Sequence, residues 1–142
     1  MADRPAKPEG MGWVTPYIFV KDAKNAIDFY EKAFGFKTHF TMPDESGDIS
    51  HAELKHNDAI IMLGKHADGS PAKLGGTTTS MYLYVDDIDG FHKRVREAGG
   101  NVTEEPKDQF WGDRTFNVTC PEGHHWMFAQ NVADFDPGKA PK

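Results

Sequence analysis

His51 and Glu53 stand two residues apart, so in an extended segment both side chains emerge on one face, an imidazole beside a carboxylate. That pair can work as a general base with its orienting acid, or as two metal ligands, with His125 completing a two-histidine, one-carboxylate set. It can equally be part of a wall in which Glu53 pairs with Lys55 or Arg114 and His51 is simply hydrogen-bonded. Adjacent His124 and His125 must point to opposite faces of a strand, so only one of them can join such a set. In the run Trp111-Gly112-Asp113-Arg114, the guanidinium can grip a carboxylate or phosphate with two parallel bonds and the indole can stack on a planar ligand. The same run also reads as a turn, with Gly112 permitting the bend, Asp113 capping and Trp111 covering a sheet edge. Cys120 precedes Pro121 with no base beside it, which argues against a nucleophile. Asp44, Glu45 and Asp48 read as a solvated loop.

The elements that must position these residues follow from an internal repeat. At an offset of 65, Tyr17 pairs with Tyr82, Val20 with Val85, Asp22 with Asp87, Ala33 with Ala98, Gly35 with Gly100, Gly47 with Gly112 and Met62 with Met127. Each half spans about 52 residues, 14–65 and 79–130, joined by the Gly- and Pro-containing stretch 66–78. A unit so small buries too little by itself, so the halves must pack on something. In the first half, Val14 to Val20 favours a strand, and Asp22 can cap a helix whose apolar residues Ala26, Ile27, Tyr30, Ala33 and Phe34 recur at helical spacing. Gly35 stops it, and strands are expected over 37–42, 49–55 and 59–63. The second half repeats the order with strands at 80–85, 102–105, 114–119 and 125–130 around a helix over 88–98. The expected fold is therefore α+β, two tandem βαβββ modules whose sheets enclose one concave cleft. Residues 1–12 read as a disordered arm without the character of a signal peptide, 13–131 as a single domain, and 132–142 as a flexible tail.

The chain's 142 residues carry 16 Lys and Arg against 22 Asp and Glu, a net charge of −6 that disfavours nucleic acid as a partner. One cysteine allows no internal disulfide, and no apolar run approaches the roughly 20 residues of a membrane helix, so the expected compartment is the cytoplasm.

Several motifs, in this order and spacing, resemble the vicinal-oxygen-chelate superfamily, which includes glyoxalase I, extradiol dioxygenases and bleomycin-resistance proteins. They are Val20-Lys21-Asp22-Ala23, Phe29-Tyr30 and Phe34-Gly35, then Val85-Asp86-Asp87, Ala98-Gly99-Gly100 and Cys120-Pro121-Glu122-Gly123-His124. His51-Ala52-Glu53-Leu54, Trp111-Gly112-Asp113-Arg114 and Gly123-His124-His125-Trp126 are most similar to the glyoxalase/bleomycin-resistance-like, or PhnB-like, branch. The resemblance covers about residues 13–131. It implies that four side chains near the first and last strands of each half would hold a divalent ion in metal-dependent members. Here those places are Thr15, Met62, Ser80 and Met127, two hydroxyls and two thioethers, which are poor ligands for hard or borderline cations. No metal and no cofactor are expected, and glyoxalase I activity is not.

Strand parity counted from those four places sets the expected lining of the cleft. Tyr17 and Phe19, then His51, Glu53 and Lys55, then Met62, Tyr82, Tyr84, Met127 and His125 face it, and the offset of 65 adds Phe116 and Val118, with Arg114 before them and Trp111 at the mouth. Aromatic and thioether area with sparse ionisable groups suits a small-molecule site. The reading is a homodimeric binder of an aromatic or cationic molecule, of the bleomycin-resistance type. The alternative is a lyase, isomerase or dioxygenase using His51 and Glu53 or an atypical metal site. A third is a partner-binding module without catalysis.

Overall fold

The computed structural model describes residues 4–7, 9–65, 79–135 and 137–139. The chain divides into two compact units, Met1–Gly69 and Ser70–Lys142, each built in the βαβββ order of the repeat. The first holds β1 (Tyr17–Val20), α1 (Ala23–Phe29) running into a π-helical turn (Tyr30–Phe34), β2 (Lys37–Pro43), β3 (Ile49–His56) and β4 (Ala59–Lys65). The second holds β5 (Ser80–Tyr84), α2 (Ile88–Glu97), β6 (Asn101–Asp108), β7 (Asp113–Thr119) and β8 (His125–Asn131). The two sheets share one plan, ordered β1-β4-β3-β2 and β5-β8-β7-β6. The first and last strands of each unit run parallel, and the other neighbours antiparallel.

Local chemistry explains the helix positions. Asp22 and Asp87 are extended N-caps whose carboxylates accept from Asn25 N at 3.0 Å and Gly90 N at 3.1 Å, satisfying amides the helices leave unpaired. Gly35 ends the first helix in the left-handed region, φ 72°, which a residue with a Cβ adopts at a cost. In the first unit Ile18, Val20, Ala52, Leu54 and Leu63 face Ala26, Ile27, Tyr30 and Phe34 as a buried core. In the second, Phe116, Val118, Trp126 and Phe128 pack with Ile88, Phe91 and Val95, the Phe91 and Phe128 rings 4.6 Å apart.

Two expectations need correcting here. The first strand begins at Tyr17, not Val14, so Thr15 lies outside it: Trp13 and Val14 are more than four-fifths exposed, and only the carbonyl of Pro16 still accepts from Met62 N, at 2.9 Å. The single offset of 65 also fails in β7. Lys55 pairs with Ile60 but Thr119 with His125, so the β7–β8 connection is one residue longer than its counterpart. That residue moves every β7 side chain to the face opposite the expected one. The stretch 66–78 and parts of both termini lie outside the described residues. Beyond β8, Val132 N and Ala133 N both donate to Gly112 O, at 2.9 and 3.0 Å.

Candidate functional site

In each unit one face of the sheet is covered by its helix, and the other carries the polar and aromatic side chains. On the first unit's open face, Tyr17 opposes Met62 while Glu53 opposes both Met62 and Phe40, so one row runs Tyr17, Met62, Glu53, Phe40 across the strands. The next row runs Phe19, Gly64, His51, Met42. Tyr17 and Phe19 are nearly half exposed, and their neighbours Ile18 and Val20 are buried, as strand parity demands. The Tyr17 hydroxyl lies 3.2 Å from His51 Nδ1, and His51 Nε2 lies 3.9 Å from Glu53 Oε2. Gly64 makes this reach possible. A Cβ there would stand 2.6 Å from both Cε1 and the hydroxyl oxygen of Tyr17, so the ring crosses β4 over a gap that only glycine leaves.

The second unit's open face is organised around Asp113, a residue 2% exposed. Its Oδ2 accepts from the hydroxyls of Tyr82 at 2.6 Å and Tyr84 at 2.9 Å, and its Oδ1 from Asn131 Nδ2 at 3.1 Å. Trp111 Nε1 donates in turn to the Tyr82 oxygen at 3.1 Å. The Tyr82 and Tyr84 rings meet edge to face, centroids 5.6 Å apart. Burial opposes ionisation of Asp113, but hydrogen bonds led by those of Tyr82, Asn131 and Tyr84 outweigh it and hold the carboxyl below its ordinary range. Partial burial together with the bond to Asp113 pushes the Tyr82 phenol up to about 12. Tyr84 is raised by the bond to Asp113 first and by burial second. Gly112, at φ 99°, aims this carboxylate: the chain turns sharply there, and a Cβ would collide with the carbonyl of Ala133.

Other residues fall elsewhere than parity suggests. Phe116, fully buried, and Val118 lie on the helix side, Phe116 between the rings of Phe91, His92 and Phe128. Arg114 is on that side too, bonded to Asp108 at 2.6 Å and Asp89 at 3.0 Å, so it is not Glu53's partner. These placements correct the expected lining, and the physical reason is the extra residue after β7. Its true open-face residues are Asp113, Thr115 and Asn117. Asn117 Nδ2 donates to Glu104 at 3.2 Å, while its buried Oδ1 has no partner. His125 is exposed, its Nδ1 3.3 Å from Thr119 Oγ1. Asp113 and Asn131 were not singled out as site residues by sequence. The available signal was the alternation of Asp113, Thr115 and Asn117 against Phe116 and Val118, which reads polar out and apolar in. A separate cavity of about 640 Å³, lined by Lys21, Asp22, Lys24, Asp48 and Lys65 among others, takes in none of these aromatic residues. There Lys65 is already paired with Asp44 and Asp48, at 3.4 and 3.2 Å.

Tandem βαβββ modules, each a helix on one face of a four-stranded mixed sheet, define an α+β protein of the vicinal-oxygen-chelate type. The chain belongs to the Glyoxalase/Bleomycin resistance protein/Dioxygenase superfamily, whose pattern it matches over residues 10–128. It is 37% identical over 128 residues to an uncharacterised protein of Mycobacterium bovis (strain ATCC BAA-935 / AF2122/97), covering 85% of this chain and 84% of that one. Among solved structures it is similar to TioX from Micromonospora sp. ML1, with a TM-score of 0.71, 26% identity and coverage of 85% of this chain and 99% of that one. The fold is also that of a bleomycin resistance determinant encoded on the transposon Tn5, with a TM-score of 0.67, 23% identity and coverage of 85% and 98%.

The divalent ion of the superfamily's metal-dependent members does not fit the donors at its four places. Met62 and Met127 offer thioethers, the Ser80 hydroxyl is 3.4 Å from the His125 carbonyl, and Thr15 is off the strand. Among the described residues, no three His, Cys, Asp or Glu side chains gather as a metal set. No described helix is long and apolar enough to cross a membrane.

Proposed function

We propose that the protein binds a small aromatic or cationic molecule without a metal, as a sequestering member of its superfamily, and that the open face around Tyr82, Tyr84, Asp113 and Trp111 holds the ligand. One observation carries the reading: two half-exposed phenols converge on one buried carboxylate oxygen. A phenol that donates to a carboxylate gains electron density on its oxygen and ring, so the aromatic surface presented to a ligand becomes a better seat for positive charge. Exposed aromatic area supplies affinity, and the carboxylate beneath it supplies the preference. The net charge of −6 works in the same direction. The family's description, which includes bleomycin resistance, supports a binding rather than a structural role. The protein further reads as a cytoplasmic homodimer, in which isologous pairing builds two equivalent clefts and leaves the exposed Tyr17, Phe19, Tyr82 and Tyr84 open to a small molecule.

The test is quenching of tryptophan fluorescence by 10-methylacridinium and by neutral acridine in weakly alkaline buffer. Trp111 is the expected reporter, through its bond to Tyr82. The expected result is saturable binding with the cation preferred, and loss of that preference in Asp113→Asn. Equal binding of both compounds by the parent and by Asp113→Asn would remove this face as the site. Light scattering at micromolar concentration tests the dimer, which a monomeric mass would refute.

A further inference from the structure

The first unit carries a different device on its open face, and it reads as a site for proton transfer. Three side chains from two strands stand in line: the Tyr17 hydroxyl 3.2 Å from His51 Nδ1, and His51 Nε2 3.9 Å from the Glu53 carboxylate. An imidazole with a carboxylate on its Nε2 side favours the tautomer with the proton on Nε2, which leaves the Nδ1 lone pair to accept from the phenol. That is an acid, a base and an orienting group in sequence. The line depends on a missing side chain. His51 is the register partner of Gly64, so the Tyr17 ring must pass over position 64 to reach it, and any Cβ there would stand 2.6 Å from the Tyr17 oxygen. At the corresponding place of the second unit stands Ala129, and Tyr82 bonds to Asp113 instead. His51 and Glu53 are partly shielded, about one-fifth exposed, while Phe19, Phe40 and Met42 on the same face are each nearly half exposed. The reactive hydroxyl therefore sits at the edge of an apolar, aromatic surface.

We propose that Tyr17 and His51 catalyse keto–enol interconversion of a small enolisable carbonyl compound bearing an aryl group, with Glu53 as the positioning residue for His51. His51 Nδ1 takes the Tyr17 hydroxyl proton, and the phenolate oxygen removes a proton from the carbon beside the carbonyl. The C–H electron pair becomes the carbon–carbon π bond of the enolate as the carbonyl π pair moves onto oxygen. The proton on His51 then passes through solvent to that oxygen, which leaves the enol, neutral His51 and a restored Tyr17 hydroxyl. No oxidant, reductant or metal enters the balance. The aryl group lies against Phe19 and Phe40, and the carbonyl end faces the Tyr17 hydroxyl.

The probe is phenylpyruvate, with exchange of its methylene protons for deuterium followed by proton NMR in heavy water on the full chain. The expected result is exchange about a hundredfold faster than in buffer, the order that positioned acid–base groups supply. Tyr17→Phe, which keeps the ring and removes the proton, and His51→Asn should return to the buffer rate. Gly64→Ala should do the same by lifting the ring off β4. Nitrogen-15 NMR of the imidazole provides a reading independent of substrate: His51 should carry its proton on Nε2 in the parent, and Glu53→Gln should shift it toward a mixture while slowing exchange. Thermal melting of each variant controls for folding. Exchange at the buffer rate in the parent, unchanged exchange in Tyr17→Phe, or a proton resident on Nδ1 would each overturn the proposal. All three outcomes are independent of acridinium binding around Asp113.

Discussion

Tyr17 and Tyr82 stand in equivalent places, each opposite the corresponding methionine, Met62 or Met127, yet one hydroxyl meets an imidazole and the other a buried carboxylate. A duplicated frame has thus taken two chemistries. The difference arises from neighbours two or more strands away, His51 and Asp113, and from whether position 64 or 129 carries a methyl group. The second unit locks its phenol as a donor, whereas the first leaves its phenol facing a group that can accept a proton.

That contrast predicts the alkaline titration of Tyr82 and Tyr84 followed by ultraviolet absorbance. Tyr82, raised to about 12, should ionise late, and Tyr84 later than an ordinary phenol. The folded state favours the neutral phenol, so this contribution to stability is complete below the ordinary phenol range and is lost as pH climbs through the raised value. Asp113→Asn should bring both titrations earlier, removing the leading cause of the Tyr84 shift and the second cause of the Tyr82 shift, which burial still holds up. An unchanged titration in that variant would mean that the carboxylate does not hold the phenols.

Phe116→Ala should cost about 3–5 kcal/mol, because it removes a fully buried ring from a cluster with Phe91 and Phe128. Urea unfolding measures it, and acridinium binding by the folded fraction should not change. A surface ring would cost far less, so a loss under about 1 kcal/mol would return Phe116 to the open face.

The contrast between Phe116 and Tyr17 shows where sequence reasoning reached and where it stopped. Period, the Asp22 cap and the offset of 65 were enough for the order of elements and for the facing of Tyr17, Phe19, His51, Glu53, Tyr82 and Tyr84. Side-chain facing in a strand depends on counting residues from a known point, so one extra residue in the β7–β8 connection inverted the expectation for Phe116, Val118 and Arg114. Asp113 was hidden for a different reason. An aspartate after Gly112 has the composition of a turn, and its burial is created by Tyr82, Tyr84 and Asn131, which lie 18 to 31 residues away in the chain. The gap at Gly64 is equally silent in sequence, since a strand glycine acquires meaning only from what crosses it.

Gly112→Ala should destabilise the second unit by roughly 1–3 kcal/mol, since φ 99° is costly for a residue with a Cβ and the added methyl meets the Ala133 carbonyl. Asp113 depends on the same turn, so the variant should also bring the Tyr82 titration earlier. Unfolding midpoints and the absorbance titration measured on one sample check both effects. A destabilised protein whose Tyr82 still titrates late would separate the turn from the carboxylate.

Acid should weaken the second unit in two windows. His92 is held below its ordinary range by burial first and by the nearby Arg96 charge second, and its Nε2 lies 2.8 Å from Glu105 Oε2 and 3.3 Å from Arg96 Nε. One neutral nitrogen can accept from Arg96 or donate to Glu105, not both, and burial keeps the neutral form. Because the unfolded chain binds this proton first, stability falls as pH drops from the ordinary imidazole range to the lowered value of the folded state, and then levels. Asp113 follows in a more acidic window. Its lowered pKa gives stability that is complete above the ordinary carboxylate range and is lost as pH falls through the depressed value. Urea midpoints across the acid range should therefore show two declines. His92→Gln should abolish the first and spare the second, whereas Asp113→Asn should shrink the second and spare the first, leaving the part that Asp108 contributes through its bond to Arg114. A single decline removed by neither substitution would place the acid sensitivity of this fold in other groups.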